Sequence, residues 1–399
     1  MNKSFWIFRN PQQAIFCIMA ILMLIGCINV FSASYIQAQD MSGSSYSFLI
    51  RYIAFSIVGF LCMWFVRRVG YKRWLQPSTL LAEYVGVALL LVAVFAFTAV
   101  KGAHRWIFLP GISIQPSELA KLVMVMVTAS SLGSMLKHGE PVRLLRGRSV
   151  KIFCLAIFYF MLIFFEPDLG TASIVMGLVL GIFIIAGLPK EETIGMIGLA
   201  ITAAAVLAVS SAYRRERVMV MLDPWRDPMD KGYQMVQAQL AIGSGGFFGT
   251  HWGQGMSKFF YLPESHTDFA FAVFAQENGF LGVLLVLALF LALGYIFTYI
   301  TLHARDEQGF LLAGGVTFLI IGQAVANMAM VGGLLPVIGV PLIFISYGGS
   351  SMVISMIAIG LLLSVYDEGV KYEKRQELLA TEPETRRDDL QFTSERRRR

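Results

Sequence analysis

The chain has 399 residues, 56% of them hydrophobic and 15% charged, with a net charge of +6 and a mean hydropathy of +0.66. Soluble domains carry about a quarter charged residues, so the shortfall excludes an ordinary water-soluble domain and points to lipid as the solvent. The four cysteines, Cys17, Cys27, Cys62 and Cys154, lie inside apolar runs with no Cys-x-x-Cys or Cys/His grouping, which argues against a disulfide framework or thiolate metal site and for a packing role.

A membrane-spanning helix needs about 17–25 predominantly apolar residues. On that criterion the chain reads as an all-α polytopic membrane protein with ten spans, at 14–34, 48–66, 79–99, 117–136, 152–165, 170–187, 193–212, 267–300, 310–332 and 346–365. The first resembles a signal peptide, with Ser32-Ala33-Ser34 as a small-residue cleavage site, but it is too long for a signal core and is read as an uncleaved span. The fifth is short and stops at Glu166-Pro167-Asp168, whereas the eighth is long enough to tilt or project.

Lysine and arginine in short loops orient such a chain. Arg67, Arg68, Lys72 and Arg73 follow the second span, and Lys137, Arg143, Arg146, Arg148 and Lys151 follow the fourth. The loops after even-numbered spans are therefore expected in the cytoplasm, and with ten spans both termini lie there too. The segment 213–265, between spans seven and eight, is then a long extracytoplasmic loop, although it carries Arg214, Arg215, Arg217, Arg226, Lys231 and Lys258. Two readings of those charges stand side by side: a solvated loop, or an anion site, since guanidinium groups bind diphosphate well. Gln234–Ile242 within it reads as a short amphipathic helix lying on the membrane interface. Residues 1–366 form the transmembrane domain. Residues 367–399 read as a polar cytoplasmic tail without a packed core, whose end, Arg396–Arg399, suits anionic membrane lipids. The basic residues are scattered over membrane loops, so nucleic acid is not an expected partner. The absence of G-x-x-x-x-G-K-[ST] argues against a nucleotide-driven pump.

Charged groups near or inside spans cost enough to demand a partner or a cavity. Glu118 and Lys121 open the fourth span behind Pro116, three residues apart on one helix face, where they can pair. Asp168 stands where it can cap the sixth span, and Arg105-Trp106 precedes the fourth, with Trp106 a candidate interface anchor. Between spans nine and ten lie Gly332-Gly333, Pro336, Gly339, Pro341 and Ser346-Tyr347-Gly348-Gly349-Ser350-Ser351. Non-helical backbone at membrane depth survives only where protein or a watery cavity shelters it. In Leu262-Pro263-Glu264-Ser265-His266-Thr267-Asp268, Pro263 is a break, Ser265 or Thr267 can cap the eighth span, and Asp268 falls in its first turn. Ser265 and Asp268 have the spacing of a capping box, so helix capping and a chemical role for Asp268 are both open on local sequence.

Taken in order, Arg105-Trp106, Gln115-Pro116-Ser117-Glu118 with Lys121, Pro167-Asp168-Leu169-Gly170, Asp223-Pro224-Trp225, Gly232-Tyr233-Gln234, Pro263-Glu264 with His266-Thr267-Asp268-Phe269, and Ser346-Tyr347-Gly348-Gly349-Ser350 resemble the SEDS family, the shape, elongation, division and sporulation proteins FtsW, RodA and SpoVE. The resemblance runs from about residue 14 to residue 366, and Asp223-Pro224-Trp225-Arg226-Asp227-Pro228 is more like FtsW and SpoVE than RodA. It implies a bacterial inner-membrane peptidoglycan glycosyltransferase that polymerises lipid II, a disaccharide-pentapeptide on undecaprenyl pyrophosphate, at the outer face. It implies a class B penicillin-binding protein, a transpeptidase, as partner, alongside other division or elongation proteins. Asp268 takes the place of the family's essential acid. Glu118, Lys121 and Asp168 take the places of its polar cavity residues, with Arg105, His266 and Thr267 as further substrate-binding candidates. The expected chemistry has Asp268 accept the proton of an attacking sugar hydroxyl, while Lys121, Arg105, loop arginines or a divalent cation (Mg2+ or Mn2+) stabilise the departing pyrophosphate. A lipid II flippase and a non-catalytic scaffold are the rival readings.

Overall fold

The computed structural model describes residues 10–99, 102–109, 112–144, 146–259 and 261–381. In chain order the elements are α1 (Pro11–Ser42), α2 (Ser47–Val69), α3 (Tyr71–Trp74), α4 (Pro77–Ala93), the strands β1 (Ile107–Leu109) and β2 (Ile112–Ile114), α5 (Pro116–Lys137), α6 (Arg148–Phe165), α7 (Leu169–Ile185), α8 (Lys190–Val209), α9 (Ala212–Leu222), α10 (Tyr233–Gly245), α11 (Ala270–Leu302), α12 (Glu307–Val331) and α13 (Gly349–Thr381).

Each of the ten predicted spans falls on a helix: α1, α2, α4, α5, α6, α7, α8, α11, α12 and α13. Among the described residues, eight of these are long and apolar enough to cross a membrane; α7, at 17 residues, is a shorter apolar helix, and α8 opens on Lys190, Glu191 and Glu192. Pro starts α1, α4 and α5 at the first helical position, where its missing N–H costs nothing. The most buried helices are α5, α12 and α13. Around them α2 and α4 expose Ile57, Leu61, Trp64, Leu81, Leu89 and Val92, an apolar exterior suited to lipid rather than water.

The structure adds to the sequence reading in some places and departs from it in others. Among the described residues the regular structure is helical except for one antiparallel hairpin, in which Ile107 pairs with Ile114 and Leu109 with Ile112; the short Ile-Phe-Leu and Ile-Ser-Ile runs on either side of Pro110-Gly111 are a hairpin pattern. The 213–265 segment is largely built: α9, a 3-10 turn at Pro224–Arg226, and α10 occupy its first half. The predicted helix at Gln234–Ile242 exists as α10; it buries Met235, Val236, Ala238 and Ala241, packs chiefly on α11 and leaves Leu240 exposed. The expected unstructured tail from 367 begins as helix, since α13 continues to Thr381. Arg67 holds Asp367 with two hydrogen bonds of 2.7 and 2.9 Å, and Arg305 stacks over the Tyr372 ring at 4.4 Å, which keeps that extension helical against α2 and the α11–α12 turn. Arg396–Arg399 lie outside the described residues. The cysteines are unpaired, and Cys154 is exposed on α6 rather than packed, as a small apolar residue facing lipid can be.

Between α12 and α13 the chain abandons helix from Gly332 to Gly348, yet Val340 and Leu342–Ser346 are buried. This sheltered non-helical segment is the hub of the candidate site.

Candidate functional site

Backbone buried without secondary structure must find its hydrogen bonds elsewhere. Here they come mainly from side chains on α2, α9 and α12. Arg217 Nη1 on α9 donates to the carbonyl of Val337 at 2.6 Å. Asn327 Nδ2 on α12 donates to Val340 O at 2.7 Å, and one turn earlier Gln323 Nε2 reaches Pro341 O at 3.3 Å. Further along, the Tyr52 hydroxyl donates to Phe344 O, and Tyr347 N donates to His266 O at 2.8 Å. Gly170 sits so close that a β-carbon there would lie 2.5 Å from Ile338 O, which is why the Asp168-Leu169-Gly170 turn needs glycine at that place.

Asp268 meets the same segment. Its carbonyl accepts from Asn327 Nδ2 at 2.8 Å, so one amide ties Asp268 to Val340. A β-carbon on Gly339 would stand 3.6 Å from Asp268 Oδ2, so the carboxylate lies along the bare face of that glycine. Asp268 itself is half-buried. The capping expectation is corrected: α11 begins at Ala270, Phe269 is its N-cap, and no side chain caps it. Glu264 (φ 55) turns the chain so that its own carbonyl accepts from Thr267 N and Phe269 N, both at 3.2 Å, and Ser265 Oγ donates to Ala33 O at 3.3 Å. Ser265 Oγ is thus engaged with α1 rather than with the backbone ahead of it, and Asp268 stands outside the helix it precedes. Thr267 Oγ1 donates to Glu264 Oε2 at 2.7 Å. His266 is buried, its ring centroid 4.7 Å from Phe48 and 6.0 Å from Tyr347.

One turn back along the same face of α12, the predicted Glu118–Lys121 pair forms at 2.7 Å, with side chains 5% and 1% exposed. Lys121 Nζ also donates to Gln323 Oε1 at 2.7 Å, and Gln323 continues to Ser351 Oγ at 3.1 Å. Gln323 and Asn327 are four apart on one helix face. Through them α12 connects the Glu118–Lys121 pair and Asp268 to adjacent carbonyls of one segment.

Asp168 caps α7 as expected, accepting from Thr171 N at 3.2 Å and Thr171 Oγ1 at 2.9 Å. Arg105 stands 3.9 Å from the Asp168 carboxylate and donates to Pro167 O. Beside them Glu166 is fully buried, and neither carboxylate oxygen has a hydrogen-bond partner among the described residues. Burial and the neighbouring Asp168 charge push its carboxyl up to about 9, against a smaller opposing pull from Arg105. Of the basic residues in the 213–265 segment, Lys231 pairs with Glu216 at 2.6 Å and Lys258 is buried against Glu277 at 2.9 Å. Lys231, Glu216 and Arg217 border an open cavity of about 180 Å³ that Pro336 and Val337 also line. No group of three or more His, Cys, Asp or Glu side chains is arranged to hold a metal ion among the described residues.

The sequence reading missed Gln323 and Asn327, which organise the hub, and Glu277, a carboxylate inside a span. The signal was present: two amides four apart, and a lone acid, inside apolar stretches where polar groups are costly.

A model of the family described as cell cycle protein, covering FtsW, RodA and SpoVE, matches residues 12–370. The chain is 37% identical over 351 residues to a probable peptidoglycan glycosyltransferase FtsW of Geobacter sp. strain M18, covering 86% of this chain and 94% of that one. It is 37% identical over 359 residues to stage V sporulation protein E of Bacillus subtilis, covering 89% and 97%. Its fold resembles a solved chain from work on structural coordination of polymerization and crosslinking by a peptidoglycan synthase complex, with a TM-score of 0.74 at 27% identity over 91% of this chain and 99% of that one. On the motifs, the match along nearly its whole length and the shared fold, the chain belongs to the FtsW/RodA/SpoVE family of cell cycle proteins.

Proposed function

We propose that this chain is a peptidoglycan glycosyltransferase that polymerises lipid II, with Asp268 as the general base. The observation that carries the reading is the placement of Asp268: outside its helix, half-buried, and held by Asn327 against the glycine face of a sheltered non-helical segment. Anchoring through the Asp268 carbonyl fixes where the carboxylate stands, and positioned general bases contribute about 10²–10⁴-fold.

In this reaction an acceptor sugar hydroxyl attacks the anomeric carbon of the donor. Its proton passes to an Asp268 carboxylate oxygen, and the lipid pyrophosphate leaves with the electron pair of the broken C–O bond. One carboxylate serves as base and none as nucleophile, so the anomeric centre inverts. The leaving group is already anionic and needs cations rather than a proton. Arg105, beside the Asp168 turn, and Lys121 are the candidates for that role, with Glu118, Asp168, His266 and Thr267 shaping the substrate site. The ten helices span the inner membrane with both termini in the cytoplasm and 213–265 outside, so Asp268 faces the outer surface where the new glycan is needed. A class B penicillin-binding protein is the proposed partner, since a structure of similar fold comes from a complex that couples polymerization and crosslinking.

The test is purified protein with lipid II in detergent, where a flippase has no membrane to cross and only an enzyme yields glycan polymer. Parent protein is expected to polymerise, and Asp268→Asn, which keeps the side-chain shape, to lose at least about 100-fold. Polymerisation by Asp268→Asn near the parent rate refutes the base assignment; absence of polymer from parent protein, alone and with its transpeptidase, refutes the enzyme.

A further inference from the structure

Asp268 is backed by α1, a helix for which the chemistry above has no use. Asn29, Ser32 and Ala33 lie on one face of it, at spacings of three and four, and all are buried. Asn29 Nδ2 donates to Ala270 O at 3.0 Å, two residues beyond Asp268, and reaches Ile345 O in the hub segment at 3.4 Å. Ala33 O accepts from Ser265 Oγ at 3.3 Å, three residues before Asp268. Both flanks of Asp268 are thus tied to one turn of α1.

The same turn holds the next anchors outward. Ser32 Oγ donates to the Glu277 carboxylate, 2.7 and 2.8 Å from its two oxygens, and accepts from Lys258 Nζ at 3.0 Å. Lys258 and Glu277 pair at 2.9 Å with side chains 6% and 3% exposed. Lys258 belongs to the loop that leads into the Asp268 stretch, and Glu277 to the helix that leaves it. Ser257 beside Lys258 donates from its backbone N and Oγ to Gln276 Oε1 at 3.1 and 2.6 Å, closing the loop onto α11. Just beyond, Gly279 breaks the helix with φ 64, and the 246–249 turn packs on that break.

We propose that α1 aims Asp268, with Asn29 and Ser32 as positioning residues and the Lys258–Glu277 pair as the outer clamp. The inference rests on Asp268 being the base. A buried charge pair within an apolar bundle is kept only where it does something apolar packing does not. Here its partners set the path of the chain on both sides of a reactive carboxylate. A displacement of about 1 Å at a reacting group costs on the order of 100-fold in rate, so α1 controls turnover without touching substrate.

The experiment uses the full chain, purified, with lipid II. Asn29→Leu and Ser32→Ala are expected to lower kcat by about 10–100-fold with KM within about twofold, because the base is misaimed while the substrate site is intact. Ser32→Thr, which keeps the hydroxyl, is expected to stay within about threefold of the parent kcat. In an Asp268→Asn background, which does not turn over, Asn29→Leu is expected to leave lipid II affinity unchanged. A purely structural α1 would lower affinity and melting temperature together and make Ser32→Thr as damaging as Ser32→Ala; either result overturns the proposal, as does parent kcat in both Asn29→Leu and Ser32→Ala. Loss of the base assignment is told apart by Asp268→Asn alone. If that variant polymerises, the base reading fails; if it is inactive while the α1 variants run at parent kcat, only the α1 role fails.

Discussion

Lys121→Met removes one charge from the most enclosed ion pair of the site while nearly keeping its volume. Lys121 Nζ lies 2.7 Å from Glu118 Oε1 with both side chains almost without exposure. At an effective dielectric of ~20 that separation corresponds to about 6 kcal/mol of attraction, part of which offsets desolvation. Breaking a buried pair by removing one partner costs about 3–5 kcal/mol, since the remaining carboxylate stays buried and uncompensated. The variant also frees Gln323 Oε1, so the amide loses the contact that orients it toward Pro341 and Ser351. Unfolding by SDS in mixed micelles measures the loss, and a cycle with Glu118→Gln isolates the pair. The double variant carries no orphaned charge and is expected to recover at least half of the stability that Lys121→Met loses, while polymerisation stays impaired because both the Lys121 charge and the Gln323 tether are still missing. If Lys121→Met unfolds within about 1 kcal/mol of the parent, or if the two single losses simply add, the pair is not the clamp described here.

Three further outcomes follow from other parts of the site. Glu166 ionises near 4.5 when unfolded but near 9 in place, so the folded state holds the extra proton across that window and stability falls as pH rises from about 4.5 toward 9; Glu166→Gln should flatten the melting temperature against pH, and an unchanged slope would show that Glu166 is not the group responsible. Gly170→Val would drive its β-carbon to 2.5 Å from Ile338 O, so a loss of about 1–3 kcal/mol and slower polymerisation are expected, with a parent-like melting curve counting against the close approach. Gly279→Ala must adopt φ 64 and ψ −166, a glycine-only region, with its β-carbon 2.3 Å from Gly249 N; the strain of about 1–3 kcal/mol should appear as a lower melting temperature and faster proteolysis of the 246–262 loop.

Much of this protein was determined by local sequence. Ten apolar stretches with few internal charges become helices because lipid offers no partner for an open backbone, and all ten fall on helices. The Pro116 helix start, the Glu118–Lys121 pair and the Asp168 cap are contacts within a turn or less, so spacing alone predicts them. The motif order, for the same reason, was enough to suggest the family.

Tertiary structure decided what those pieces do together. Ser265 and Asp268 have the spacing of a capping box, yet the turn at Glu264 and the pull of Ala33 place them outside the helix. Asn29 meets Ala270 across 241 residues and Lys121 meets Gln323 across 202. Such contacts leave no periodicity in the chain, because they depend on which helices become neighbours. That Val337 to Pro341 would be the place where α7, α9, α12 and Asp268 converge follows from the need of a buried, non-helical backbone to have its carbonyls satisfied. Which side chains meet that need was settled only when the helices packed.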